Sequence, residues 1–143
     1  MDHLKRAVPL GFIAGAMSVL IFHQGAVFLL HHLAGLMPSP GYSLRPVPPL
    51  LVPQLFSLMF WGGIWGIVIA LVLRLVWVPD LLFGFLFGAI VCSAFGWYVV
   101  TALKGLPPFN GLWVFDRMWR ALLLNGLFGW GTAFLLRPMS IRG

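Results

Sequence analysis

Residues 52–76 read VPQLFSLMFWGGIWGIVIALVLRLV, a run whose one charge, Arg74, stands near its far end. A helix needs about 20 mostly apolar residues to cross the hydrocarbon core of a bilayer. This stretch is long enough, and Pro53 opens it where a proline costs little, because first-turn N–H groups have no acceptor inside the helix. Toward the N-terminus no charge occurs between Arg6 and Arg45, which predicts a span over 8–33 opening with Pro9. Toward the C-terminus Pro79-Asp80 makes a break, and a third run covers 81–103. The last run, 119–136, is the shortest and stops at Arg137-Pro138, so Arg120 must snorkel or bond inside the protein. The expected fold is an all-α integral membrane protein, four transmembrane helices in a tight bundle forming one membrane domain over 1–143.

Composition points the same way. Of 143 residues, 61% are hydrophobic and 8% charged, whereas a soluble domain carries about a quarter charged residues. The mean hydropathy is +1.00. A soluble enzyme and a disordered tail are excluded, and one cysteine, Cys92, excludes a disulfide scaffold. Net charge is +6, but the basic residues stand singly at the ends of apolar runs, where they reach for lipid headgroups. That spacing predicts membrane lipid, and not nucleic acid, as the partner of the positive charge. Ala14-Gly15-Ala16 resembles a signal-cleavage tripeptide but arrives too early in the apolar run, so the first span is expected to stay.

With four spans, Lys5, Arg6, Arg74, Arg137 and Arg142 share one side, and Arg45, Lys104, Arg117 and Arg120 share the other. The pair ahead of the first span places both termini in the cytoplasm. Tyr42, Trp77, Trp113 and Trp119 fall near span ends, where amphipathic rings favour the interface.

Lipid tails are as apolar as leucine, so membrane helices associate through close packing and hydrogen bonds, and small residues four apart let backbones approach. Every span has such a strip. Gly11 and Gly15 lie in the first and Gly62 and Gly66 in the second. Gly84, Gly88 and Gly96 lie in the third, together with Cys92, which reads as a small packing residue. Gly129 lies in the fourth, with Ala121, Asn125 and Ala133.

Three blocks recur in the same order. Gly11-Phe12-Ile13-Ala14-Gly15-Ala16 matches Gly84-Phe85-Leu86-Phe87-Gly88-Ala89. Leu44-Arg45-Pro46-Val47-Pro48-Pro49-Leu50 matches Leu103-Lys104-Gly105-Leu106-Pro107-Pro108-Phe109. Gly62-Gly63-Ile64-Trp65-Gly66 matches Asn125-Gly126-Leu127-Phe128-Gly129. The pattern predicts a tandem pair of helical hairpins, 7–77 and 78–139, in parallel orientation.

Chemistry is sparse. His23 and Gln24 fall near the middle of the first span, and with Gln54 and Asn125 they form a candidate polar intramembrane cluster. The expected partners of His23 are Asn125, Gln54, Ser57 or an indole N–H. Such groups act either as interhelical glue or as a ligand or proton site. His31 and His32 point about 100° apart on a helix. No other span holds histidine, and no span interior holds Asp or Glu, so no metal, haem or other cofactor is expected. No catalytic residue is assigned, because no nucleophile stands at readable spacing from a base. Asp116 and Arg120 are spaced for an ion pair on one helix face. The proline-rich segment 34–51 should be a stiff, extended loop.

At Phe22-His23-Gln24-Gly25, Val52-Pro53-Gln54-Leu55 and Phe60-Trp61-Gly62-Gly63-Ile64-Trp65-Gly66-Ile67, the chain resembles small uncharacterised bacterial inner-membrane proteins of four spans. The resemblance covers most of the chain. It implies a bacterial inner membrane and this architecture; that family has no assigned activity, so it transfers no functional residues. The function expected is a non-enzymatic structural or accessory membrane component, meeting lipid, another membrane protein or a second copy. The alternative is a small transporter or channel built on His23, Gln24 and Asn125.

Overall fold

The computed structural model describes residues 2–37, 40–47, 51–95, 98–99, 102 and 115–139, and it is 85% helical. Among the described residues there are four helices. We label them α1 (residues 2–34), α2 (Gln54–Leu75), α3 (Asp80–Phe95) and α4 (Phe115–Leu136), the last continued by a 3-10 turn, Arg137–Met139. By length and composition, α1 and α2 are able to cross a membrane. α3 is shorter over the described residues, and α4 carries Arg120 and Asn125 among its apolar side chains. Gly96, Trp97, Trp113, Arg142 and the second prolyl block lie outside the described residues, as does the side chain of Asp116, so the Asp116–Arg120 pairing does too.

α1 begins ahead of the expected residue 8, so Pro9 sits inside the helix and not in its first turn. The helix then alternates winding. α-turns over Asp2–Ser18 give way to π-turns over Val19–His23, α-turns over Gln24–Leu29 and π-turns over Leu30–Ala34. At 1.5 Å per residue it is about 50 Å long. Gly35, at φ +64°, ends it in a left-handed cap, and the N–H of Leu36 returns to the Leu30 carbonyl at 3.0 Å.

The helices meet in two antiparallel pairs. In the first, Gly11 lies against Gly66 and Gly15 against Gly62. A β-carbon on Gly11 would stand 2.6 Å from the Gly66 carbonyl oxygen and 2.9 Å from Ala70 Cβ, and one on Gly15 would overlap the Gly62 carbonyl. In the second pair, Gly84 lies against Gly129 and Gly88 against Asn125. A β-carbon on Gly84 would overlap the Gly129 carbonyl and stand 3.1 Å from Ala133 Cβ. The flanking contacts also correspond, since the Phe12 ring covers Gly63 as the Phe85 ring covers Gly126. At these positions only hydrogen fits, and the absent side chains are what allow backbone-to-backbone contact.

Small residues therefore fill the centre. Ala7, Ala14, Ser18, Ala70, Ser93, Thr132 and Ala133 are buried, and the larger Val19, Val27, Ile69, Leu73, Leu124, Phe128 and Leu136 are buried among them. Many large apolar side chains face outward: Ile13, Ile21, Leu29, Phe56, Phe60, Trp61, Leu82 and Ile90 are all exposed.

Between α1 and α2, strands β1 (Pro46–Val47) and β2 (Val52–Pro53) pair antiparallel, with Val47 opposite Val52. The carbonyls of Arg45 and Ser43 accept the N–H groups of Gln54 and Leu55, both at 2.9 Å. They satisfy first-turn donors that α2 cannot satisfy itself.

Candidate functional site

The register that sets Gly15 beside Gly62 brings the start of α2 level with His23. α1 therefore runs on past the end of α2, and residues 40–45 fold back along it. Gln24, 5% exposed, anchors this strap. Its Oε1 accepts the Tyr42 N–H at 2.8 Å. With the oxygen so committed, the Nε2 end donates to His23 Nδ1 at 2.9 Å. An accepting Nδ1 places the ring proton on Nε2, so this bond exists only with a neutral imidazole.

A second clasp comes from the helix winding. Gln24 N–H bonds Val19 O in the π pattern. Returning from i→i+5 to i→i+4 pairing skips one carbonyl, the next in line, which is Leu20. Tyr42 Oη donates to that carbonyl at 2.8 Å. The strap is held in a costly conformation: Gly41 has φ +80° and Tyr42 φ +52°, and the left-handed region costs a non-glycine residue about 1 kcal/mol or more. A β-carbon on Gly41 would sit 2.9 Å from Gln24 Oε1, so glycine is needed there for space as well as for φ.

The other candidate residues lie elsewhere. Asn125 Nδ2 donates to Ser93 Oγ at 2.9 Å, and that hydroxyl points to the Ala121 carbonyl at 3.5 Å. This bond closes the α3–α4 seam. Gln54 contributes its backbone N–H to the strap's Arg45 carbonyl. His23 is thus paired with its own neighbour Gln24, which corrects the expectation of Asn125, Gln54, Ser57 or an indole. The cause is register: Asn125 is drawn to Gly88 across a different helix pair.

Sequence reasoning passed over several polar anchors. Ser18 Oγ, fully buried, crosses from α1 to α4 and donates to the Phe128 carbonyl at 2.6 Å. Thr132 Oγ1 donates to the same carbonyl at 2.9 Å. Phe22 packs edge-on against Trp130 and Phe134, which stack on each other at 5.3 Å. Gly41 before an aromatic was the one signal for the strap contact, and nothing in the residue order marks Leu20 as the carbonyl left open.

At the end of α1, His31 Nδ1 donates to the Met37 carbonyl at 2.7 Å, and Arg120 Nη1 donates to the Leu36 carbonyl at 2.8 Å. The His32 ring leans on Phe28 at 4.4 Å. An apolar groove of about 400 Å³ opens between α1 and α4, lined by Ile21, Phe22, Gly25, Ala26, Leu29 and Leu127. At the opposite end of the bundle, Arg137 Nε and Nη2 bond the two Asp80 oxygens at 2.7 and 3.0 Å. That fork holds the Asp80 carboxyl below its ordinary value.

Among the described residues no three His, Cys, Asp or Glu side chains gather as a metal site. These polar groups hold helices and strap together; their bonds run to backbone or to one another. Comparison with protein families, curated proteins and solved structures finds no match to this chain.

Proposed function

We propose that the chain is a four-span protein of a bacterial inner membrane, both termini cytoplasmic, built from two copies of a helical hairpin, and that it is a non-enzymatic structural or accessory membrane component. The observation that carries this reading is the inverted packing. Glycine, alanine, serine and threonine line the places where helices touch, with a few larger groups such as Ile69, Leu73, Phe128 and Leu136 between them. Most of the large apolar side chains on the outer faces are exposed. In water, large apolar groups gain most by going inside; in lipid that drive vanishes, and close backbone approach decides which faces meet. The matching contacts Gly15–Gly62 and Gly88–Asn125, with Phe12–Gly63 and Phe85–Gly126, support the duplicated hairpin. The internal commitment of Gln24, Asn125 and Ser18 favours glue over a solute path.

The outward apolar faces are the surface on which lipid, another membrane helix or a second copy is met. Two experiments test the reading. Reporter fusions should place both ends in the cytoplasm, and ends on opposite sides would end the four-span scheme. His23→Ala and Asn125→Leu should lower stability in detergent while leaving ion or solute flux in liposomes unchanged; a flux lost in a still-folded variant would favour the transporter reading. Mild extraction then shows which lipid or protein stays bound.

A further inference from the structure

We propose that residues 40–45 form a strap that the His23–Gln24 pair latches while the imidazole is neutral and releases when it is protonated. The geometry leaves the latch one working arrangement. Tyr42 presents a donor, so Gln24 must present oxygen to it; His23 Nδ1 must then accept from the amide nitrogen. A protonated ring carries N–H at both positions and cannot accept. If the amide turns its oxygen to the ring, its nitrogen faces the Tyr42 N–H, donor against donor. Either way one bond of the chain is lost, and the left-handed backbone at Gly41 and Tyr42 loses what holds it.

Few other groups can imitate this response. α2 has no ionisable side chain between Gln54 and Arg74, α4 none between Arg120 and Arg137, and α3 only Cys92 between Asp80 and Phe95. The strap brings Tyr42, whose hydroxyl is committed to Leu20, and Arg45. α1 itself brings His31, tied to Met37, and His32 beside it, with Asp2, His3, Lys5 and Arg6 at its other end, about 25 Å or more along the helix from His23.

The test is amide hydrogen exchange on the full chain in lipid nanodiscs, read at 40–45 and corrected for intrinsic exchange, from about pH 7.5 to about pH 4. Protection at the Tyr42 amide should fall about tenfold on acidification, the scale of one lost hydrogen bond. His23→Phe should abolish that step, which separates it from His31 and His32. Gln24→Glu should also abolish the fall, because a carboxylate accepts from the Tyr42 N–H and from an Nδ1–H that the neutral and the charged ring can both supply. Should that buried acid prevent folding, Tyr42→Phe serves instead: it removes the Leu20 clasp alone, lowers protection at every pH and keeps the step. A wild-type strap indifferent to pH, or a step that survives in His23→Phe, overturns the proposal. So does an imidazole nitrogen-15 spectrum that puts the His23 proton on Nδ1 at neutral pH.

Discussion

Where α1 crosses α2, the Gly62 carbonyl occupies the space a side chain on Gly15 would need; where α3 crosses α4, the Asn125 carbonyl does the same at Gly88. The two seams share their glycines and their flanking phenylalanines but differ in how they are finished. The first is closed by backbone contact and by the Val19 side chain lying over Gly62. The second replaces Gly62 by Asn125 and spends the added side chain on a hydrogen bond to Ser93. Close packing is therefore the common requirement, and the polar bond is an addition that one seam accommodates and the other has no room for.

The largest effect should come from filling either seam. Gly15→Leu and Gly88→Leu force a side chain onto a carbonyl of the facing helix, so each should destabilise the bundle by about 3 kcal/mol in reversible unfolding in mixed micelles. Tolerance of one and not the other would break the equivalence of the pairs. The exchange at the differing position comes next. Gly62→Asn meets the Val19 side chain and the Phe128 ring, whose Cε1 lies 3.2 Å from the would-be β-carbon, and should cost about 2 kcal/mol. Asn125→Gly loses only the Ser93 bond and some helix propensity, about 1 kcal/mol. A larger loss for Asn125→Gly would mean that the hydrogen bond, and not contact, holds the second seam.

Ser18→Ala sharpens the comparison from outside either pair, since this hydroxyl joins α1 to α4. A loss of about 0.6 kcal/mol, typical of hydrogen bonds between membrane helices, is expected. The smallest effect belongs to the exposed Asp80–Arg137 fork. Because Arg137 holds the folded Asp80 carboxyl below its unfolded value, the contribution is complete above the ordinary carboxylate range. It fades as pH falls through the lower, folded value. Asp80→Asn should remove that acid-side loss from the unfolding midpoint and change little at neutral pH.

The helices and their contact faces were legible because glycines at four-residue spacing make a flat strip whatever the rest of the fold does. α2 matches its expected span to within two residues at each end, as does the C-terminal end of α4. The N-terminal end of α1 was less legible: residues ahead of Pro9 are too polar to read as a span, yet they continue the same helix. For the site, spacing identified His23 and Gln24 as unusual but assigned His23 the wrong company.

Residue order alone thus determined the apolar character of the chain, the strips through which helices touch and the repetition of those strips, all properties carried by local periodicity. Tertiary structure alone decided that α2 starts level with His23, that a strap lies in the space beside the protruding part of α1, and that Leu20 offers Tyr42 a carbonyl. Those depend on how far one helix slides along another and on a local change of winding. Slide and winding are set by the sum of many contacts between residues distant in sequence, so no single stretch encodes them.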